Sequence, residues 1–184
     1  MTRPLPSPSP FPHPITRRPT PLTTTKNPKM AASGGFLAGT MPKIMERKTL
    51  AKLLKSAQTK ASTLVVDVRD DDREGGHIPG SINRTSDLFE SDDDVDSFVK
   101  EEIIEQPERK AVVFHCMMSQ VRGPAAARRT LARLSILADD GFGGIDDGAA
   151  EIFILRGGFQ DWVREDGFRK DAELVEDFDA RVWG

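Results

Sequence analysis

Residues 112–124 read Val-Val-Phe-His-Cys-Met-Met-Ser-Gln-Val-Arg-Gly-Pro and combine an apolar strand, a short loop and the start of a helix. Cys116, the only cysteine of the chain, ends the strand, and Arg122 follows six positions later. A turn this short curls its backbone N–H groups inward, and the helix start adds partial positive charge. The stretch therefore predicts an α/β unit whose loop binds a tetrahedral oxyanion, with Arg122 supplying a bidentate guanidinium.

Cys116 has two interpretations. The positive field of such a loop lowers the pKa of a thiol from about 8.5 and favours a reactive thiolate. A lone cysteine after Val-Val-Phe is also typical of a small buried hydrophobe. The arginine at this spacing, followed by a helix start, favours the nucleophile.

Apolar patterns predict alternating strands and helices from Met41 onward. Strands are predicted at 43–45, 64–68, 111–114 and 151–155, and helices at 49–54, 93–104, 123–137 and through Trp162. Such alternation predicts an α/β fold with a mostly parallel central sheet flanked by helices on both faces. A functional site is then expected where the strands end at their carboxyl termini.

Composition excludes several classes of protein. No apolar run approaches the roughly 18 residues of a membrane span, so no membrane partner is expected. From Glu46 onward 20 Lys and Arg stand against 29 Asp and Glu, and this acidity disfavours nucleic-acid binding. One cysteine rules out an internal disulfide and suits a reducing compartment, and with three histidines it argues against a structural zinc site.

Residues 1–40 differ from the rest and predict a disordered tail rich in Pro, Ser and Thr, which leaves 41–184 as the folded domain. The tail has Arg3, Arg17 and Arg18 but no acids, a composition also typical of an organelle transit peptide. A plain disordered tail, or upstream sequence that is not translated when initiation occurs at Met30 or Met41, is the alternative. The expected location is cytoplasmic, nuclear or both, with mitochondrial import through the tail as the alternative.

Four segments of the sequence resemble a known family. His-Cys-x5-Arg at 115–122 is similar to the signature of cysteine-based phosphatases. The longer string HCMMSQVRGPAAA resembles the rhodanese-fold branch: M-phase inducer phosphatases and the small single-domain phosphatases and arsenate reductases of fungi and plants. LVVDVRD at 64–70, GHIPGSIN at 76–83 and ILRGGFQDW at 154–162 agree in the expected order. The resemblance covers about residues 44–168 and implies a rhodanese-like catalytic domain over 41–184.

The resemblance implies a cysteine-dependent protein phosphatase of the phosphotyrosine or dual-specificity type. Cys116 would attack phosphorus to form a thiophosphoryl intermediate, and Arg122 with the loop amides would stabilise the phosphoryl oxygens. The implied substrate-binding residues are Met117, Met118, Ser119, Gln120, Val121, Arg122 and Gly123.

Five further positions have implied roles, and for two of them, His115 and Ser119, an alternative stays open. His115 would orient the loop and help lower the thiol pKa, or simply pack at the strand end. Ser119 would assist the thiolate or the hydrolytic step, or cap the following turn. Asp67 and Arg69 look structural, and His77 braces its turn.

Two rival activities stay open. An arsenate reductase would use the same loop, because arsenate copies phosphate in charge and shape, and would need an external thiol such as glutathione with glutaredoxin. A rhodanese-type sulfurtransferase is the second rival, but its loop is typically one residue shorter. No metal and no resident cofactor are expected, and the expected partners are a phosphorylated protein, a small phosphoester or arsenate, with glutaredoxin for arsenate.

The sequence departs from the family in two places. Met117 stands where M-phase inducer phosphatases usually carry an acidic residue, so the general acid is unassigned. Asp70, Asp71, Asp72 and Glu74 are near in sequence, but such a cluster after a strand is typical of a solvated turn. Val68 replaces the second cysteine that relatives often carry in the first core strand.

Overall fold

The structure is a computed structural model, and it describes residues 41–139 and 150–184. The tail predicted at 1–40 lies outside the described residues. In the described part, five strands form one sheet: β1 Lys43–Met45, β2 Thr63–Asp67, β3 Ile82–Asn83, β4 Ala111–His115 and β5 Glu151–Leu155. Their order across the sheet is β1-β5-β4-β2-β3, and each neighbouring pair is parallel. The predicted parallel α/β sheet is confirmed.

Strand β4 lies at the centre of the sheet, and all five of its residues are buried. This is the pattern of a parallel strand covered by helices on both sides. β4 pairs with β2 so that His115 lies opposite Asp67, and with β5 so that Phe114 lies opposite Ile154. The residues that follow β2 and β4 therefore leave the sheet at the same edge, side by side.

Helices cover both faces of the sheet, as predicted. They are α1 Arg47–Lys55, α2 Ala57–Ala61, α3 Asp92–Val99, α4 Arg122–Asp139, α5 Gly158–Arg164 and α6 Ala180–Trp183. A π-helical turn over Lys100–Ile104 continues α3, and 3-10 turns lie at Ser86–Phe89 and Phe168–Lys170. Apolar residues of α3 and α4 pack on one face, and those of α1 and α5 pack on the other. None of the described helices is long and apolar enough to cross a membrane.

The alternation of side chains along β4 divides the two cores. Phe114 joins the α3–α4 side, where its ring meets Phe89 edge-on with centroids 5.6 Å apart. Val113 joins the α1–α5 side. The next two residues continue the alternation: His115 stacks on Phe159 of α5, and Cys116 lies in the α3–α4 core. One strand thus sends the cysteine and the histidine to opposite layers.

The C-terminal segment, for which no element is predicted beyond Trp162, packs against the turn at residues 75–77. Glu176 and His77 exchange two backbone hydrogen bonds of 2.9 Å. Trp183 Nε1 donates to the Gly75 carbonyl at 2.8 Å, and its ring packs edge-on against Phe159. The side chain of His77 faces the Glu176 carboxylate at 3.4 Å, consistent with its expected bracing role.

Candidate active site

The loop between β4 and α4 carries the predicted site residues. Cys116 follows β4 directly and is buried, with 4% of its surface exposed. The five residues between it and Arg122 form a non-helical turn, in which Ser119 adopts a positive φ of 51°. A positive φ is uncommon for a non-glycine residue and marks a tightly curled backbone. The backbone of the turn is therefore tightly curled at Ser119.

Two backbone contacts from α5 fix the orientation of the loop. Phe159 N–H donates to the Cys116 carbonyl at 3.0 Å, and Gln160 N–H donates to the Met117 carbonyl at 2.8 Å. Both carbonyls therefore face α5. The N–H groups of residues 117–121 donate to no residue in the described part of the chain. Backbone amides left free in this way can receive an anion.

Two glycines permit this close packing. A Cβ on Gly158, whose φ is +61°, would lie 2.5 Å from the Cys116 carbonyl oxygen. A Cβ on Gly123, in the first turn of α4, would lie 3.2 Å from the Cys116 nitrogen. The loop is thus held between two backbone segments that approach it only because they lack side chains.

Arg122 lies at the start of α4, and its guanidinium pairs with two carboxylates. Nη1 donates to Asp70 Oδ2 and to Asp72 Oδ1, each at 2.8 Å, and Nη2 donates to Asp72 Oδ2 at 2.5 Å. Hydrogen bonding to Asp72 raises the pKa of Arg122 further above its usual value, and the charge of Cys116 adds to that shift. The guanidinium and the Cys116 side chain are thus close enough to interact electrostatically.

The interpretation of Asp70 to Glu74 as a solvated turn needs correction for Asp70 and Asp72. Partial burial acts to raise the pKa of Asp70, but hydrogen bonds from the Ser86 N–H and from Arg122 outweigh it, and the pKa lies below its usual value. The hydrogen bond from Arg122 lowers the pKa of Asp72. Both groups are ionised at neutral pH and carry no proton for a leaving group, so neither suits the role of general acid.

His115 is fully buried behind the loop. Its Nδ1 lies 3.4 Å from the Cys116 carbonyl oxygen and 3.8 Å from Asp67 Oδ1. Burial lowers the pKa of His115 and Arg69 adds to this effect, while Asp67 opposes it. The ring is neutral at pH 7. It contacts the loop as the orienting role requires, but it brings no positive charge to the thiol.

A buried ion pair lies behind His115. Arg69 donates through Nε to Asp67 Oδ1 at 2.9 Å and through Nη2 to Asp67 Oδ2 at 2.6 Å, and both side chains are completely buried. Nη2 also donates to the Gly76 carbonyl, and the guanidinium lies 4.1 Å from the Phe159 ring centroid. The expectation that Asp67 and Arg69 are structural agrees with these contacts, since the pair ties β2, the turn at Gly76 and α5 together.

The other loop residues form the rim of the site. Met118 and Val121 are exposed, at 46% and 73%, and Met117 is half-buried. Ser119 Oγ is buried and has no partner among residues 41–139 and 150–184. Asp70, which pairs with Arg122, lines a surface cavity of about 450 Å³ together with Asp71, Thr85, Ser86, Asp87 and Glu90. The same described residues contain no group of three His, Cys, Asp or Glu placed to hold a metal ion.

Sequence reasoning missed the Asp70 and Asp72 contacts to Arg122. The signal for them was topological: β2 and β4 are neighbouring parallel strands, so the residues after Asp67 and those after His115 leave the sheet together. Knowing the strand order, one would expect acids after β2 to meet the cation after β4. Ser86, which donates to Asp70 through N–H at 2.8 Å and through Oγ at 2.9 Å, had no sequence signal.

Comparison with known proteins adds three findings. The family model for the Rhodanese-like domain matches residues 47–165. The dual specificity phosphatase Cdc25 of Arabidopsis thaliana is 37% identical over 99 residues, which is 53% of this chain and 60% of that relative. Arsenate reductase 2.1 of Oryza sativa subsp. japonica is 31% identical over 126 residues, which is 68% of this chain and 71% of that relative.

A solved structure is similar as well. The crystal structure of Saccharomyces cerevisiae Ygr203w, described as a homolog of single-domain rhodanese and of the Cdc25 phosphatase catalytic domain, superposes with a TM-score of 0.62 at 25% identity. The match covers 77% of this chain and 91% of that one. The relatives in sequence are named as phosphatases and as arsenate reductases, the two activities that the family resemblance implied.

Proposed function

This chain belongs to the rhodanese-like domain family, and we propose that it is a cysteine-dependent phosphatase of the phosphotyrosine or dual-specificity type. One observation carries the proposal: Cys116 and Arg122 flank a five-residue turn, and the carbonyls of Cys116 and Met117 accept hydrogen bonds from α5. That arrangement leaves amide donors and a cation around a thiol, which is what a phosphoryl group needs.

The first step forms a covalent intermediate. Cys116 Sγ attacks phosphorus, and the S–P bond forms as the P–O bond to the leaving group breaks. The loop amides and the Arg122 guanidinium stabilise the charge on the equatorial oxygens. Water then attacks the intermediate, the S–P bond breaks, and inorganic phosphate and the thiolate are released.

Asp70 and Asp72 do not protonate the leaving oxygen, because both are ionised and bound to Arg122. Aryl phosphates release a weakly basic phenolate, which needs protonation least. We therefore expect an aryl phosphate to turn over faster than an alkyl phosphate.

The test is a side-by-side assay of the purified protein with an aryl phosphate, with arsenate plus glutathione and glutaredoxin, and with thiosulfate plus cyanide. Release of phosphate from the aryl ester supports the proposal. Cys116→Ser should abolish this turnover while still binding tungstate, because the serine hydroxyl has no base to activate it and the loop donors are unchanged. Turnover within about tenfold of wild type in Cys116→Ser would contradict the nucleophile assignment.

Arsenate reduction is the second candidate, favoured by the match to the rice arsenate reductase over 68% of this chain. Reduction of arsenate to arsenite takes two electrons, and the chain has one cysteine. After Cys116 forms its bond to arsenic, external thiols must supply both electrons and leave as a disulfide. Activity should then depend on glutathione with glutaredoxin, and repeated turnover without any added thiol would contradict this mechanism.

Thiocyanate formation from thiosulfate and cyanide is not expected, because sulfurtransferases typically carry a loop one residue shorter than the turn between Cys116 and Arg122.

A reduced Cys116 is needed by both favoured chemistries, so we propose that the protein works in the cytoplasm, the nucleus or both. Fractionation of cells that express tagged full-length protein tests the location, and import into mitochondria would contradict it.

A further inference from the structure

We propose that Asp72, supported by Asp70, is a positioning residue that sets the orientation of the Arg122 guanidinium and thereby the affinity of the loop for a tetrahedral oxyanion. The proposal rests on the function proposed above, since it assumes that this loop receives such an anion. Neither carboxylate touches the substrate in this account. They act through Arg122.

The Asp70 and Asp72 carboxylates use only some of the donors of the Arg122 guanidinium. An arginine has five N–H groups in one plane. In Arg122, three of them are used: one from each Nη meets Asp72, and the second N–H of Nη1 meets Asp70. The remaining two are the Nε–H and the second Nη2–H, and neither donates to a residue within 41–139 or 150–184.

The two free N–H groups lie on the same edge of the guanidinium and point in parallel. This edge matches two oxygens of a phosphoryl, arsenate or tungstate group. Asp72 occupies the end of the guanidinium and leaves the edge open, so binding of an anion does not require the ion pair to break. The carboxylates therefore direct the cation without competing for the donors that the anion needs.

The carboxylates are themselves held in place. Asp70 accepts hydrogen bonds from the N–H and Oγ of Ser86, at 2.8 and 2.9 Å. Asp72 Oδ1 accepts the Asp70 N–H at 3.2 Å. The orientation of Arg122 is thus fixed through the turn after β2 and the 3-10 turn at Ser86–Phe89. A side chain held at its end in this way loses little freedom when the anion arrives.

The sign of the effect of Asp72→Asn tests the proposal. Removing a negative charge beside an anion site strengthens anion binding if charge alone matters. If Asp72 positions Arg122, the same change weakens binding, because Asn keeps the shape but offers only one acceptor to the guanidinium. Opposite signs separate the two accounts.

The control is Asp96→Asn. Asp96 pairs with Arg133 through Nε and Nη2 at 2.5 and 2.6 Å, between α3 and α4 and outside the loop. Like Asp72→Asn, the Asp96→Asn variant removes one carboxylate from an arginine that it binds with two hydrogen bonds. Asp72→Glu, which keeps the carboxylate on a longer stem, serves as the conservative variant.

The experiment measures three quantities for each variant: the tungstate Kd by calorimetry, kcat and KM for an aryl phosphate, and the melting temperature. Asp72→Asn should raise the tungstate Kd and lower kcat/KM, each by roughly tenfold to a hundredfold, with a melting temperature like that of Asp96→Asn. Asp72→Glu should recover part of both losses, and Asp96→Asn should bind tungstate like wild type.

A tungstate Kd that is unchanged or smaller in Asp72→Asn would overturn the proposal. The proposed function is judged separately by the wild type. If wild type hydrolyses no phosphate ester but its tungstate binding depends on Asp72, the phosphatase assignment fails and the positioning role stands. If wild type is an active phosphatase and Asp72→Asn equals Asp96→Asn, the positioning role fails alone.

Discussion

Arg69 and Arg122 both form two-bond pairs with aspartate, yet they use opposite sides of the guanidinium. Arg69 turns its Nε–Nη2 edge to Asp67, and the pair is completely buried. Arg122 turns its Nη1–Nη2 end to Asp72, and its side chain is 31% exposed. In the first pair the edge that best fits an oxyanion is closed by a carboxylate, and in the second it is open.

The side of the guanidinium that the carboxylate occupies distinguishes the structural Arg69 from Arg122, which can receive an oxyanion. The number of ion pairs does not distinguish the two arginines, because both have carboxylate partners. The open edge of Arg122 and its position beside Cys116 distinguish it from Arg69.

The largest effect is expected on stability from Arg69→Met. The change leaves Asp67 buried without its main partner, and an uncompensated buried charge costs about 3–5 kcal/mol of unfolding free energy. Denaturant unfolding measures the loss. Arg73→Met is the control, since Arg73 is half-exposed and lies 3.3 Å from the same carboxylate, so its loss should be about 1 kcal/mol or less. Equal losses in the two variants would contradict the structural role of Arg69.

Arg122→Lys should act on catalysis and leave stability almost unchanged. An ammonium cannot make two parallel hydrogen bonds to a phosphoryl group, so kcat/KM for an aryl phosphate should fall by about a hundredfold or more. The unfolding free energy should change by about 1 kcal/mol at most, because the pair is solvent-screened. Arg129→Lys, seven positions along α4 and paired with Asp92, is the matched control. A variant that keeps its rate would reduce Arg122 to a helix-start charge.

Gly158→Ala tests whether the loop geometry depends on α5. The new Cβ would approach the Cys116 and Met117 carbonyl oxygens to 2.5 and 2.6 Å, so the loop must shift. Gly167→Ala provides the control: its φ of +85° imposes similar backbone strain, but nothing lies within 4 Å of the new Cβ. Both variants should lose about 1–2 kcal/mol from the left-handed backbone, and Gly158→Ala alone should lose about tenfold in kcat/KM. Equal activities would show that the loop tolerates the contact.

The smallest effect is expected in the pH dependence of the unfolding free energy, to which the buried, neutral His115 contributes. Its folded-state pKa is lowered by burial, so below about pH 6.5 the unfolded chain binds a proton that the folded protein does not. Stability should therefore fall as the pH drops from about 6.5 toward the lowered pKa, by about 1 kcal/mol per pH unit. In His115→Gln that contribution to the slope should disappear, whatever the variant's absolute stability. Denaturation curves at several pH values measure it, and identical slopes would mean that His115 is charged in the folded protein.

The sequence predicted what local pattern controls. The apolar run before Cys116 and the glycine and proline after Arg122 predicted β4 and α4, and the family resemblance is confirmed by the match over 47–165. The ends shifted slightly: α4 begins at Arg122 and runs to Asp139, where 123–137 was predicted. Such shifts are expected because the first turn of a helix depends on capping contacts.

The sequence did not predict what distant segments decide together. β3 has only two residues, Ile82–Asn83, too few for any periodicity, and it pairs with the end of β2. The Asn83 amide also donates to the Asp67 and Arg69 carbonyls. The role of Asp72 depends likewise on Arg122, fifty residues away. Contacts of this kind follow from the strand order, which no single segment encodes.

The layers in which the His115 and Cys116 side chains lie depend on the number of residues in β4. Because successive side chains of a strand face opposite layers, inserting or deleting one residue within Ala111–His115 would exchange the layers of His115 and Cys116. The thiol would then face the aromatic side of α5, and an imidazole would lie under Arg122. Two added residues would restore the order. The length of this strand can therefore change only in steps of two residues without exchanging the layers of His115 and of Cys116, the proposed nucleophile.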